Sequence, residues 1–396
     1  VVTVVDLGLQ PLSNAYLLPS EVSAEQVYPL HARYCERCHL VQVDDVVPPE
    51  MIFSDYAYFS SYADSWVEHA RRYTEMAIER FELGAASFVV EVASNDGYLL
   101  RHFIDRGVPV LGIEPAANVA EVARAAGVPT EVAFFGTATA AEVVDAHGPA
   151  DLVVANNVLA HVPDLNDFVG GLEVLLAPGG VVTVEVPHLL RLVEQTQFDT
   201  IYHEHYSYFS LLAMQYVFER HGLTVFDVDR LDTHGGSLRV YGCHRGDARH
   251  PVGASVTEVL ELEREAHLDQ VDGFRGFAQR AKACCDGLAA FLADQREAGA
   301  VVVGYGAAAK GNTLLNAIGA DKSTLAYVVD RNPHKQGRLL PGSHLEIHSV
   351  DRLSSDRPPY VLILPWNLRE EIVGQMAQVR DWGGRFVIAV PELEVF

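Results

Sequence analysis

Basic residues are scarce in this chain. Its 396 residues carry 29 lysines and arginines against 53 aspartates and glutamates, a formal charge of −24. Binding a nucleic acid needs a positive face, so that class of partner is excluded. A small anion stays compatible, because a few local donors can hold a diphosphate against an unfavourable overall field. Cysteine is rare as well. Cys35, Cys38, Cys243, Cys284 and Cys285 are too few for a disulfide scaffold and point to a reducing, cytoplasmic setting. No apolar run approaches the ~20 residues of a membrane helix, and nothing resembles a signal peptide, so no membrane partner is expected. Repeats and low-complexity tracts are missing too.

What is present divides into three modules: residues 1–60, 61–250 and 251–396. The first is rich in turns and carries Cys35-Glu-Arg-Cys38. The second opens with Trp66, Ala70, Tyr73, Ala77 and Phe81 at helical spacing, ending before Gly84. From Phe88 onward, apolar β-rich runs near 88–94, 109–114, 131–135, 151–156 and 181–186 alternate with helical patterns near 97–106, 117–126, 138–146 and 166–177. That alternation predicts a parallel sheet of βαβ units. Runs at 223–230 and 237–244, split by a short Asp-Thr-His-Gly-Gly turn, predict an antiparallel hairpin on its edge. A charged helical stretch over 252–298 connects to a second α/β unit, with strands from Ala300 and near 326–330, 360–364 and 386–390.

The first strand of the central sheet runs into Glu91-Val92-Ala93-Ser94-Asn95-Asp96-Gly97, followed at once by a helix. Such a turn lets backbone N–H groups and a helix N-terminus approach a ligand. Glu91 can accept from a cationic amino group, and Glu114, closing the second strand, stands where a carboxylate binds ribose hydroxyls. The segment resembles motif I of class I S-adenosylmethionine methyltransferases, with Ala93 and Asn95 in place of two glycines and only Gly97 kept. The fourth strand ends in Asn156, placed to contact the cofactor, and His161 follows, placed to face a substrate.

Beyond the fifth strand lies Phe198-Asp-Thr-Ile-Tyr202-His203-Glu204-His205-Tyr-Ser-Tyr-Phe-Ser210, dense in hydroxyl, carboxyl and imidazole groups. Two histidines, a glutamate and several tyrosines supply a base, an orienting carboxylate and hydroxyl donors. A metal site is the other reading. His203 and His205 share a face if the segment is extended, but the spacing is not that of a zinc-protease helix, so proton transfer is favoured.

Taken with Val5-Asp-Leu-Gly8, Tyr34-Cys-Glu-Arg-Cys38, Thr233-His-Gly-Gly-Ser-Leu-Arg239 and Gly304-Tyr-Gly-Ala-Ala-Ala-Lys310, these segments resemble the nucleotide-sugar C-methyltransferases. That family methylates a deoxysugar carbon beside a 4-keto group. The resemblance spans nearly the whole chain. It implies a class I (Rossmann-like) methyltransferase sheet between a small N-terminal zinc-binding module and a C-terminal α/β domain. It also implies S-adenosylmethionine as methyl donor and a dTDP-linked 4-keto-deoxysugar, a precursor of antibiotic sugars, as substrate. The family's functional residues carry over to Tyr56, His161, Tyr202, Glu204 and His205. His205 titrates in the right range to remove the proton beside the ketone, while Tyr202, Tyr56 or His161 can hold the ketone oxygen.

Cys35 and Cys38 look like a zinc knuckle, but they are two ligands where a structural site wants four. The resemblance implies a second CxxC upstream of Val5, so the remaining ligands are expected before Val1. A redox dithiol is the rival, without the thioredoxin-like pattern around it. In the last module Gly304-Tyr-Gly-Ala-Ala-Ala309, with Asp330 at a later strand end, fits a loose dinucleotide fingerprint. It offers a different function, an NAD-linked nucleotide-sugar oxidoreductase. The resemblance instead gives this module the nucleotide sugar, with Lys310 and the following helix toward its diphosphate.

Overall fold

The computed structural model describes residues 1–44, 47–48, 60–62 and 64–396. In the first module Val4, Val5, Leu30, Ala32, Tyr34, Val41 and Val43 turn inward from β1 (Val2–Gln10), β2 (Tyr28–Tyr34) and β3 (Val41–Val43), which pair antiparallel. The helix Asp64–Arg80 then leads to the central sheet.

There, β4 (Val89–Val92) and β5 (Val110–Ile113) are buried along their whole length. Together with β6 (Thr130–Glu131), β7 (Ala150–Asn156) and β8 (Leu176–Pro187) they form a parallel array. Uninterrupted apolar strands belong in such a sheet, where helices cover both faces. β9 (Ser207–Tyr208) leaves this sheet and pairs with β3, adding a fourth strand to the N-terminal one. The first module is therefore not contiguous in sequence. β10 (Leu223–Leu231) and β11 (Ser237–His244) form the hairpin, with β11 antiparallel beside β8. The strand order β10-β11-β8-β7-β4-β5-β6 is the Rossmann-like sheet that the resemblance implies. Its winding reverses between β4 and β7, and open α/β sheets hold ligands at that switch point, outside the strands' carboxyl ends.

The last module is a second parallel sheet, ordered β14 (Ile347–His348), β13 (Val328–Val329), β12 (Val302–Tyr305), β15 (Tyr360–Ile363), β16 (Arg385–Ile388), with β17 (Glu394–Val395) antiparallel at the edge. The connector is two helices, Ala254–Glu265 and Phe277–Glu297, broken around a short 3-10 turn at Val271–Phe274. Gly273 permits the break, since a Cβ there would stand 2.4 Å from the His267 carbonyl oxygen. The helix read from residue 97 begins only at Leu100, because the residues before it are spent on a left-handed turn. One hydrophobic core runs through Val5 and Tyr34, Phe198 and Ile201, and Leu314 and Leu362, so the three modules close on one another around the loop after β8.

Candidate active site

The turn after β4 is built from left-handed backbone. Ala93, Asn95 and Gly97 have φ of 55°, 50° and 78°. A Cβ on Gly97 would lie 2.7 Å from Val128 Cγ2, so this position is closed to side chains. Asn tolerates the conformation. Ala93 does not, and holds it at a cost of roughly 1 kcal/mol. The turn is secured by Glu114, whose Oε2 accepts from the Asn95 N–H (3.0 Å) and whose Oε1 accepts from the Ala116 N–H (2.9 Å). Asn95 Oδ1 in turn accepts from the Ser60 N–H at 2.9 Å.

A cavity of about 580 Å³ opens above this turn. Ala93, Asn95, Glu114 and Asn156 stand on its wall, with Ile113, Phe134, Phe135 and Val158 as apolar surface beside them. Glu91 and Gly97 are not on the wall but lie buried behind it. Burial, with Glu114 and Asp96 nearby, pushes the Glu91 carboxyl well above the usual carboxylate range. Its Oε2 and Asn156 Oδ1 have no hydrogen-bond partner among the described residues. Unsatisfied buried acceptors, a carboxylate at the β5 end and a flat apolar slot fit a ligand with a cationic amino-acid end, a ribose diol and a base. S-adenosylmethionine has those parts.

His161, Tyr202, His205 and His234 line the same cavity. His205 Nδ1 lies 3.1 Å from the Thr200 carbonyl oxygen, and its Nε2 lies 2.8 Å from the Tyr202 hydroxyl. A carbonyl can only accept, so Nδ1 carries the proton, Nε2 keeps its lone pair, and Tyr202 donates to it. The same reasoning gives His161 its proton on Nδ1, 2.7 Å from the Glu204 carbonyl oxygen. The two imidazoles meet edge to face with centroids 4.7 Å apart. Burial and the neighbouring His161 hold His205 well below the ordinary histidine range, and burial takes His161 down to about 4. Both rings are neutral bases.

His203 and His205 do not share a face. The His205 N–H bonds the Tyr202 carbonyl and closes a turn, which sends His203 Nε2 instead to the Pro29 carbonyl of β2 at 3.2 Å. Glu204 is buried away from the cavity wall, where Oε1 accepts from the N–H (3.2 Å) and the Nδ2 (3.3 Å) of Asn14, and burial raises its pKa. Tyr56 lies outside the described residues.

The C-terminal module supplies the facing wall. Lys310 Nζ reaches Asn367 Oδ1 (2.7 Å) and lies 4.6 Å from the Trp366 ring centre; burial brings its pKa down to about 8. The Trp366 indole N–H donates to Asp199 Oδ2 at 2.7 Å, tying this wall to the loop after β8. Lys335 Nζ donates to the Ala307 carbonyl at 2.7 Å and also lines the cavity. The dinucleotide-like turn is closed by the protein itself. Asp330 spends Oδ2 on the Ala307 N–H and Oδ1 on the Asn332 N–H, both at 2.7 Å, and the Tyr16 hydroxyl covers the Ala307 carbonyl at 2.6 Å.

Asn14, Trp66, His234 and Lys335 line the cavity although sequence reasoning did not single them out as site residues. Only His234 left a readable trace, a histidine before two glycines in a hairpin turn. Below Trp66, Glu185 of β8 is fully buried; burial alone would raise its carboxyl, but His69 (2.9 Å) and Arg239 (2.6 Å) hold it below the usual range.

In the knuckle, the His39 N–H closes back onto the Cys35 carbonyl at 2.9 Å, with His39 itself left-handed at φ 60°. Burial opposes ionisation of Cys35, but the N–H groups of Cys38 and Arg37 and the Cys38 thiol outweigh it and lower its pKa. That is the chemistry of a thiolate donor. Two thiol donors of this kind are ligands that zinc takes, and among the described residues no third His, Cys, Asp or Glu joins the pair.

Comparison with known proteins covers all three modules. Residues 1–53 match a family model described as "putative zinc binding domain", residues 66–228 a methyltransferase domain, and residues 232–391 a C-methyltransferase C-terminal domain. C-methyltransferase NovU of Streptomyces niveus is 37% identical over 393 residues, 99% of this chain and 93% of that protein. A ubiquinone biosynthesis O-methyltransferase of Rhodopseudomonas palustris (strain HaA2) is 26% identical over 117 residues, 28% of this chain and 46% of its own. Among solved structures, an S-adenosylmethionine-dependent methyltransferase of Clostridium acetobutylicum matches 46% of this chain and 92% of its own, with 10% identity and a TM-score of 0.37. Magnesium protoporphyrin IX methyltransferase of Synechocystis, with bound SAH, matches 44% and 82%, with 13% identity and a TM-score of 0.36.

Proposed function

Since the chain belongs to the C-methyltransferase family, and is thus an S-adenosylmethionine-dependent C-methyltransferase, we propose that it methylates the carbon beside the ketone, C-3, of a dTDP-linked 4-keto-deoxysugar in antibiotic-sugar biosynthesis. One observation carries this reading. A single cavity is lined by the turn at Ala93 and Glu114, by Tyr202 and His205, and by Lys310 and Lys335.

S-adenosylmethionine, when bound, supplies an electrophilic methyl group. The protein's task is to make a carbon nucleophile and aim it. Glu114 and Asn156 hold the donor, with the Glu91 carboxyl buried behind the turn. On the opposite wall Lys310, Lys335 and the amino end of the helix Ala309–Ala317 offer positive charge to the diphosphate of the sugar nucleotide. His205 is the base. Its lone pair at Nε2 is met by the Tyr202 hydroxyl, so the sugar proton passes to the phenol oxygen as the phenol proton passes to Nε2. The imidazolium so formed is costly in this buried place until the enolate beside it offsets the charge. Glu204 fixes the turn through Asn14 and aligns His161 through its own carbonyl. The two knuckle cysteines hold half of a structural zinc site in the N-terminal module.

The test is exchange and turnover with one substrate. A dTDP-linked 4-keto-deoxyhexose incubated with enzyme and S-adenosylhomocysteine in D₂O should gain deuterium beside the ketone. With S-adenosylmethionine it should gain a methyl group there. Neither event on any 4-keto sugar nucleotide would sink the reading. Elemental analysis should find about one zinc per chain, lost in Cys35→Ser.

A further inference from the structure

Three groups around the base have already spent their protons inside the protein. Tyr202 donates to His205, His205 Nδ1 to the Thr200 carbonyl, and His161 Nδ1 to the Glu204 carbonyl. An enolate oxygen developing next to them needs a hydrogen-bond donor from elsewhere. His234 is on the same cavity wall, half-buried, and neither of its ring nitrogens has a hydrogen-bond partner among the described residues.

Its placement is enforced. His234 holds a left-handed backbone at φ 55°, followed by Gly235 at 89° and Gly236 at 114°. A Cβ on Gly235 would stand 2.7 Å from both Gln197 Nε2 and the Trp366 ring, and one on Gly236 would stand 2.5 Å from Arg191 Cγ, so the turn is packed against its surroundings. Gln197 Nε2 donates to the Gly235 carbonyl at 2.8 Å. The His234 ring meets Trp66 edge on at 5.0 Å, Trp66 stacks on His69 at 4.8 Å, and His69 is anchored to Glu185. A strained backbone kept by this much support is the usual mark of a working residue.

We propose that His234 is a catalytic residue, giving an imidazole N–H to the ketone oxygen of the sugar as that oxygen becomes an enolate. This rests on the 4-keto-sugar reading above. The step balances. The C–H bond beside the ketone breaks, its proton goes through Tyr202 to His205, and its electron pair becomes the new C=C bond while the carbonyl π pair moves onto oxygen. His234 bonds that oxygen without giving up its proton. The enolate carbon then bonds to the methyl group of S-adenosylmethionine as the sulfur–methyl bond breaks, its electron pair staying on sulfur so that S-adenosylhomocysteine leaves, and the ketone reforms. Burial and the charge of Lys310 hold His234 at about 4, so the ring is neutral at working pH. A neutral imidazole stabilises an enolate by hydrogen bonding, and keeps its second proton-transfer role idle.

The experiment compares wild type with His234→Ala and His234→Asn, the second because Asn accepts left-handed backbone. Four quantities are read: kcat and KM for the dTDP-linked 4-keto sugar, deuterium wash-in with S-adenosylhomocysteine present, and S-adenosylhomocysteine affinity by calorimetry. Losing one oxyanion donor should lower kcat on the order of 100-fold or more in His234→Ala. Wash-in should fall in parallel, with KM and S-adenosylhomocysteine affinity changed less than about threefold. If the alanine protein does not fold, the asparagine protein carries the same expectation, with a loss of about tenfold or more. The proposal is overturned if kcat stays near wild type, if the loss is in KM alone, or if methyl transfer falls while wash-in does not. Failure of wild type to exchange or methylate any 4-keto sugar removes the underlying reading and the proposal with it. An active wild type with unaffected variants removes the proposal alone.

Discussion

The Tyr202 hydroxyl donates to His205 Nε2 across 2.8 Å, with the two rings tilted and their centroids 4.1 Å apart. The phenol therefore stands at the basic nitrogen, and in the proposed mechanism the two side chains act as one proton acceptor. Tyr202→Phe and His205→Asn should each lower kcat by ~10²–10⁴-fold, with S-adenosylhomocysteine affinity unchanged. Groups that work as a unit are not additive, so the double variant should be little worse than either single one. Multiplicative losses in a double-mutant cycle would show two independent roles.

The turn after β4 gives opposite expectations for two small substitutions. Ala93→Gly relieves a left-handed alanine and should raise unfolding free energy by roughly 1 kcal/mol, or less once glycine's unfolded-state entropy is counted. Gly97→Ala forces a methyl group toward Val128 Cγ2, only 2.7 Å from the Cβ, at φ 78°. It should weaken S-adenosylhomocysteine binding at least tenfold. Urea midpoints and calorimetry on the two proteins decide both halves, and equal affinities would mean the turn is not the cofactor's seat.

Arg239 is 7% exposed and shares the buried Glu185 carboxylate with His69. Arg239→Met should cost ~3–5 kcal/mol, because it strands a buried charge. Converting that charge as well, in Arg239→Met with Glu185→Gln, should recover a large part of the loss. Unfolding curves that show the double variant as unstable as the single would place the energy in packing over Tyr73, whose ring centre lies 4.8 Å from the guanidinium.

Acid should destabilise the fold before carboxylates are reached. In the unfolded chain His161 and His234 take up protons near 6.5, while folded they resist until about 4. Between those values the unfolded state binds more protons, so stability declines as pH drops from 6.5 to about 4 and the loss is complete below that. Asp199 works the other way. Burial raises it from 3.8 to about 6, so it adds stability as pH falls through 6, and Glu91, Glu114 and Glu204 are raised as well. His102, His203, His205, His221 and His348, all lowered, join the two imidazoles on the opposing side and outnumber those carboxyls. Urea unfolding at steps between pH 7 and 4.5 should show the decline, and His234→Asn should make it shallower. A flat profile would mean that the imidazoles are not neutral in the folded protein.

Much of the architecture was legible because parallel strands covered on both faces need largely apolar runs, as β5 has throughout and β7 has over Leu152–Ala155. The turn after β4 was legible as a close turn because Glu91 near the strand end, Gly97 and Glu114 after the next strand mark it. Asn14 and Lys335 were not, since each reaches the cavity only after modules distant in sequence have docked. The turn at Tyr202–His205 was also hidden. An extended backbone would have put His203 and His205 on one face, whereas burial of Glu204 against Asn14 and capture of His203 by Pro29 favour a turn.

The pairing of β3 with β9 bears on how the protein is made and how it can be altered. Translation runs at ~5–20 residues per second, so the partner of Val41–Val43 leaves the ribosome on the order of ten seconds after it. Through that interval the edge of β3 is an open template for another strand, on this chain or its neighbour. Evolution by exchange of whole modules meets the same constraint. A foreign first module grafted onto this enzyme would receive Ser207 and Tyr208 from the host, just beyond His205, and any change in how it pairs with them would be felt at that imidazole, the proposed base.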